Sequence, residues 1–301
     1  MSSLFPQAER AAAHLPPLLL AAQRVAAAVT QGSHGRRRPG PGETFWQFRP
    51  YSPGDSLRAI DWRQTGKSDR TQVRDREWMA AQTVGLWADG RAAMGWRSHR
   101  DLPEKGERAA ILALALAVLL AGGGERLGLL DLRQEGPQWK IAAGPWSHGQ
   151  HASTRLAEQM ALKTPGVPLD SLPAAATAVL FTDALDPPEQ IATLLRSLSQ
   201  RGAKGHLVQV LDPAEETFPF QGRVLFTAPQ ESAADPWLVP RAENIRAAYQ
   251  DRLRAHRQEL QQITQRLGWS LILHHTDQPP QGALLALYHR LSEASSTVGG
   301  T

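Results

Sequence analysis

The sequence predicts an α/β protein with a doubly wound, mainly parallel sheet of the Rossmann-like kind, preceded by an N-terminal helix and a basic, β-rich segment. Beyond Trp78, short runs rich in Val, Leu and Ile alternate with helix-length stretches, the pattern of strands joined by helical crossovers. Between Gly35 and Trp78 that order gives way to turn-forming and aromatic residues set among arginines. A chain of 301 residues can form one large domain, or one with an elaborated N-terminal part, and either buries a sizeable core.

Taken in order, Pro16 to Thr30 forms a helix with Leu18, Leu19, Val25 and Val29 apolar, and the run GSHGRRRPGPG ends it. ETFWQFRPY alternates enough to be a strand, SPGDS is a turn, and TQVRDREW supplies another strand. QTVGLWAD (Gln82 to Asp89) is a buried strand, Glu107 to Leu120 a helix, and Gly124 to Leu132 a second strand. Gln138 to Ala142 adds an edge hairpin, and Gln150 to Leu162 a helix. ATAVLFTDA (Ala176 to Ala184) is a third buried strand, Pro188 to Arg201 a helix, and GAKGHLVQVLD a fourth strand. A short strand at Val224 to Thr227, a long amphipathic helix from Pro240 to Leu267, the strand WSLILHH and a helix from Gly282 to Leu291 complete the chain. The expected division is residues 1–78 and 79–301.

Composition narrows the functional classes. With no cysteine, disulfides, thiolate nucleophiles and Cys-based zinc sites are excluded together, and a reducing compartment, the cytoplasm, is expected. The longest apolar run, Ala109 to Ala121, is about two-thirds of the roughly 20 residues a membrane-spanning helix needs. The N-terminus lacks the basic start of a secretory signal. From Arg36 to Arg76, ten Arg or Lys face five Asp or Glu, an excess of five against a net charge of +4 for the whole chain. That asymmetry points to an acidic protein surface, a nucleic-acid backbone or an anionic membrane face, unless the segment is simply a solvated basic loop.

The stretch GRRRPGPGETFWQFRPYSPGDSLRAIDWRQTGKSDRTQVRDREW resembles the bacterial domain of unknown function 58 family, through Gly42, Glu43, Arg49, Tyr51, Pro53, Gly54, Asp55, Arg58, Ile60, Asp61, Trp62, Lys67, Arg74 and Glu77. The likeness continues through LDPAEETFPFQG (Leu211 to Gly222) and RAENIRAAYQDRLRAHRQEL. It implies a von Willebrand factor A-like fold, with its binding site at the carboxyl ends of the strands. It also implies partnership with a MoxR-type AAA+ ATPase in assembling or activating other protein complexes. In physical terms Pro53 fixes φ, Gly54 permits an unusual backbone angle and Asp55 bonds nearby amides. Arg49, Asp55, Arg58 and Asp61 are spaced for pairing among themselves, with Trp62 a surface for arginine stacking. The triplet Arg36, Arg37 and Arg38, with no acid beside it, is the better candidate for an outside partner.

The same resemblance implies a Mg²⁺ site built from D-x-S-x-S, a threonine and a second aspartate. Here the first acid is Asp89, but Arg91 and Ala93 stand where the serines belong, and Asp183 matches the second aspartate. Two carboxylates without hydroxyls make a poor octahedral site, and a guanidinium opposes a divalent ion. The expectation is therefore no metal and no cofactor, with Arg91 paired to Asp89, Asp183 or both as an internal cation; the alternative is that Arg91 points to solvent.

Other chemistry is not found in the sequence. There is no Walker A motif, Gly122 to Gly124 leads into a strand, and GPWSHG around Ser147 is not a nucleophile elbow. His148 with His151, and His274 with His275, lack carboxylates at metalloprotease spacing. The reading is a non-enzymatic protein-interaction or adaptor module. Its expected partners are the ATPase and an unnamed client, engaged through Asp89, Arg91 and Asp183 and the arginine-rich strip. The alternative is a nucleic-acid or anionic-surface binder using Arg36 to Arg38, Arg49, Arg63, Lys67 and Arg70, with Trp46 and Trp62 for stacking. Peripheral membrane contact and oligomeric state stay open.

Overall fold

Strands that are apolar at both odd and even positions must be covered on both faces, and the computed structural model of the chain covers them with helices. It describes residues 22–26, 29, 45–51, 60–67, 70–76, 82–135, 138–149, 151–162, 167–168, 172–173, 175–227 and 236–297. The chain divides into two compact units, His34–Ala81 and the combination of Met1–Ser33 with Gln82–Thr301.

In the smaller unit, β1 (Phe45–Pro50) pairs antiparallel with β2 (Gln72–Arg76), with a register shift between Phe45 and Gln47. The single turn α1 (Trp62–Thr65) folds back on β2: the amide of Asp61 donates to the carbonyl of Gln72 at 2.9 Å, and the amide of Gln72 donates to Thr65 Oγ1 at 3.0 Å. The expected strands are therefore present, and the short helical turn is an addition.

In the larger unit the strands are β3 (Thr83–Ala88), β4 (Arg126–Glu135), β5 (Gln138–Ala143), β6 (Val167–Pro168), β7 (Thr177–Thr182), β8 (Lys204–Leu211), β9 (Val224–Phe226), β10 (Trp237–Val239) and β11 (Ser270–His275). The helices are α2 (Lys105–Gly122), α3 (Ala152–Leu162), α4 (Pro188–Ser199), α5 (Pro213–Thr217), α6 (Arg246–Arg266) and α7 (Pro280–Thr297). A seven-stranded sheet has the order β11-β8-β7-β3-β4-β5-β6. It is parallel from β11 to β4 and antiparallel where β5 and β6 add an edge. The architecture is a doubly wound α/β fold with a mainly parallel sheet.

Alternation along each strand sends side chains to opposite layers. Val84, Leu86, Val179, Phe181, Val208 and Val210 meet α2, α3 and α7 on one face, whereas Trp87, Ala178, Leu180 and Leu207 meet α4 and α6 on the other. Each fully buried leucine or phenylalanine contributes about 1.5–3 kcal/mol relative to exposure. Helix α2, rich in Ala and Leu, is buried on most sides, as its sequence requires. Ala22 and Val29 of the N-terminal helical residues join the α2 layer. That helix thus belongs with the larger unit and not with the basic segment, with which the expected division had grouped it.

Close strand packing is set by Gly205, where a Cβ would lie 1.9 Å from the carbonyl oxygen of Ala178 and 2.9 Å from the Trp269 ring. Backbone cannot yield there, so Gly205→Ala is expected to destabilise the fold by about 1–3 kcal/mol. At Gly122, the last residue of α2, nothing lies within 4 Å of the same position. Gly122→Ala is expected to be neutral or stabilising by up to about 1 kcal/mol. Urea denaturation of the pair reads both shifts, and equal effects would contradict the packing argument.

Candidate functional site

Three strands of the sheet end in aspartate: Asp89 follows β3, Asp183 follows β7 and Asp212 follows β8. Strands β3 and β7 are neighbours at the point where the winding reverses, the place where open α/β sheets form a crevice. All three aspartates are buried, so each needs a partner for its charge.

Asp89 is held by Arg91. The Arg91 amide donates to Asp89 Oδ1 at 2.9 Å, Nε lies 3.0 Å from both Asp89 oxygens, and one Nη bonds Oδ2 at 2.7 Å. The other edge of the guanidinium binds Asp186 through two bonds of 2.9 and 2.7 Å. Thr182 Oγ1 donates to Asp89 Oδ2 at 2.8 Å, and the Trp139 ring lies 5.8 Å from the guanidinium carbon. Burial works against the charge on Arg91, but bonding and attraction from Asp89 and Asp186 outweigh it and raise its pKa above the ordinary arginine value.

Asp183 has a different cation. Lys105, the first residue of α2, is only 2% exposed and sends its ammonium to Asp183 Oδ2 at 2.9 Å and Glu215 Oε1 at 2.6 Å. A cation at a helix N-terminus is opposed by the macrodipole, and burial penalises it further. The two carboxylates outweigh burial and raise its pKa. Glu215 is itself pushed up, first by burial and also by Asp183, although Lys105 and the Asp212 amide pull the other way. The amide of Leu185 and the carbonyl of Asp183, which accepts from Gln209 Nε2 at 3.0 Å, fix the rest of this loop.

The run Leu211 to Gly222 ties this site to α6. Asp212 caps α5 through a reciprocal bond with Glu215, and its second oxygen accepts from the Ser98 amide at 2.8 Å. Glu216 pairs with Arg257 at 2.8 Å and with His275. The Tyr249 hydroxyl donates to the Glu215 carbonyl at 2.7 Å. Phe218, in the left-handed region at φ 47°, then packs with Phe220, Phe226 and Tyr249.

Asp89 and Arg91 thus meet, whereas Asp183 stands apart with Lys105, and Asp186 is the second partner of Arg91. Of the two expected partners of Arg91, Asp89 is therefore the one it binds, and Asp183 is bonded instead by a lysine from α2. Ala93 lies in a 3-10 turn (Ala92–Met94) and offers no oxygen. With Arg91 and Lys105 on their oxygens, Asp89 and Asp183 do not fit a hard divalent ion. Among the described residues no three His, Asp or Glu side chains are grouped to hold a metal. His148 and His151 are exposed, and His274 is buried, its pKa lowered to about 4 by burial and by Arg108 and His275.

In the smaller unit Tyr51 and Lys67 are exposed, Trp62 is 70% exposed, and Asp61 is half-buried at the start of the α1 turn. Arg49 lies on β1, but its side chain falls outside the described residues, as do Arg36, Arg37, Arg38, Asp55 and Arg58 altogether. Lys105, Asp186, Glu215 and Glu216 were missed from sequence. The signal for Glu215 and Glu216 lay in LDPAEETFPFQG; Lys105 had none beyond its place before an apolar helix.

A family model described as "Protein of unknown function DUF58" matches residues 47–259. Uncharacterized proteins of Mycobacterium bovis and Mycobacterium tuberculosis are 26% identical over 280 residues, covering 88% of this chain and 85% of theirs. Among solved structures, the conserved hypothetical protein BatB from Bacteroides thetaiotaomicron overlaps 71% of this chain and all of its own, at 10% identity and TM-score 0.37. An aerotolerance-related membrane protein from Bacteroides fragilis does so at 14% identity and TM-score 0.41, with the same coverage. In this chain no helix among the described residues is long and apolar enough to cross a membrane.

Removing Lys105 leaves Asp183 and Glu215 buried against each other. Lys105→Met is expected to cost about 3–5 kcal/mol at neutral pH. Burial already raises the pKa of Glu215, and without the opposing ammonium it lies further above the unfolded value, so the fold regains stability as pH falls and loses it as pH rises. The deficit should shrink between pH 7 and 5. Arg91→Ala likewise strips the cation from buried Asp89, but the arginine reaches the rim with 30% of its side chain exposed, so water can enter the space it leaves and, with the Thr182 hydroxyl still donating, solvate that carboxylate; the expected cost is smaller, about 1–2 kcal/mol. Denaturation curves across that pH range compare the two; a pH-independent deficit in Lys105→Met would refute the pairing.

Proposed function

The chain belongs to the DUF58 family, and from that premise we propose that it is a non-enzymatic protein-interaction module working with a MoxR-type AAA+ ATPase in the assembly or activation of other protein complexes. One observation carries the reading: the aspartates ending β3 and β7 are each bonded by a cation of the chain itself, Arg91 and Lys105. Carboxylates so engaged neither coordinate a catalytic ion nor act as a general base. On this reading, in which the fold is von Willebrand factor A-like, the crest is a degenerate metal site, with a guanidinium and an ammonium in place of the ion. Binding to another polypeptide by shape and charge is the function such a crest supports.

Isothermal titration with Mg²⁺ tests the replacement. The unmodified protein should take up none; tight binding by it would refute the reading. A pull-down from the native cell tests the partner. It should recover an AAA+ ATPase that is lost when Arg91 and Arg36 to Arg38 become alanine, and recovery of no ATPase counts against the proposal.

A nucleic-acid reading draws on the 70% exposure of Trp62 beside the exposed Arg63 and Lys67. It requires binding to a generic oligonucleotide that weakens steeply with salt, and lack of binding at low salt would remove it.

A further inference from the structure

The β9–β10 pair stands outside the main sheet as a separate two-stranded sheet, and its two faces differ. Its inner residues Val224, Phe226 and Val239 pack on Phe218, Phe220, Ile245 and Tyr249. On the outer face Leu225 and Leu238 are direct cross-strand partners, 56% and 44% exposed. Trp237, in register with inner Phe226, leans on that ring from the other strand of the pair, with centroids 6.1 Å apart, and is 59% exposed at its margin. Contiguous exposed apolar side chains on a rigid support mark contact surfaces more often than singly scattered ones do. The support here is rigid: Arg246 bonds the carbonyls of Phe218 and Phe220, and α5 is clamped by Glu215, Glu216 and Tyr249.

We propose that this outer face is a docking surface for an acidic, apolar peptide segment of another protein. Charge selects the occupant. Exposed Arg223 and Arg241 flank the paired ends of the two strands at Val224 and Val239. The nearby Glu243 carboxylate accepts from the amide of Gly222 at 2.8 Å and, attracted by Arg241 and Arg246, offsets part of this charge. Among the described residues Arg223, Arg241 and Arg246 outweigh the one carboxylate of Glu243, so this end of the pair is net positive beside an apolar centre, the arrangement that attracts acidic segments and repels basic ones. Edge-to-edge pairing with a second copy is disfavoured, because each strand has three residues and β10 lies between Pro236 and Pro240. The proposal goes beyond the ATPase partnership and stands or falls separately from it.

The test is fluorescence anisotropy with the full chain and two labelled peptides of about 12 residues, one with Leu and Phe interspersed with Glu, the other with Lys replacing every Glu. The Glu peptide should bind and the Lys peptide should not. Leu225→Ser with Leu238→Ser, and separately Arg223→Glu with Arg241→Glu, should each weaken the Glu peptide by at least about tenfold, equivalent to about 1.4 kcal/mol. All four positions are exposed, so circular dichroism and thermal midpoints should match the parent. Failure of the Glu peptide to bind, equal binding of both peptides, or unchanged binding in either double variant would overturn the proposal. So would self-association in sedimentation that the leucine variant abolishes, since a second copy would then occupy the face.

Discussion

The structure depends on neutralising buried acid at the carboxyl ends of two adjacent parallel strands. Asp89 and Asp183 are almost fully removed from water, and an isolated carboxylate in that position is far too costly to keep ionised. Two cations of different geometry meet the need. Arg91, at the rim, uses its planar fork to join Asp89 to Asp186 and so fixes the loop after β7 against the loop after β3. Lys105 projects a compact charge from the start of α2 into a space that water does not reach. Neither could serve in the other's place, because the fork needs two coplanar acceptors and the enclosed position admits only a narrow chain.

The consequences travel along consecutive side chains of one short helix. Glu215 turns inward to Lys105, while its neighbour Glu216 turns outward to Arg257 and His275. Helix α5 is thereby held between the sheet and α6, and Phe218 emerges from it in a left-handed conformation that starts the aromatic cluster. The ion-paired crest and the β9–β10 platform are thus joined by direct bonds within one unit. A change in Lys105 must be felt at Glu215, and through it at the Tyr249 hydroxyl bond.

Most of the fold was legible because its signals are local. The short, almost wholly buried apolar runs of β7 and β8 and the unbroken Ala/Leu run of α2 set element type without reference to distant residues. The pairing of Arg91 with Asp89 was legible for the same reason, since two residues after a strand end share one loop. Lys105 was not: before an apolar helix it reads as a solvated first-turn lysine, and only the fold brings it to Asp183, 78 positions away. Asp186 was overlooked because Asp183 occupied the expected acidic position. Strand β10, three residues long, is held by its pairing with β9 and by packing around Phe218, which no short window contains.

A fixed cation alters what the crest can offer a partner. A coordinated metal can leave one position open for an incoming carboxylate, but a guanidinium has five N–H groups. In Arg91 the Nε hydrogen, one on Nη1 and both on Nη2 are engaged by Asp89 and Asp186. A single Nη1 hydrogen remains, too little to anchor a ligand in competition with water. In the proposed interaction role, recognition near this crest would therefore rest on the surrounding loops, which Arg91 joins, and less on the arginine itself. Loss of a partner on removing Arg91 would report displaced loops as readily as a lost contact. Retention of that partner by a lysine at this position, which keeps the charge but not the fork, would identify charge and not loop geometry as what the partner reads.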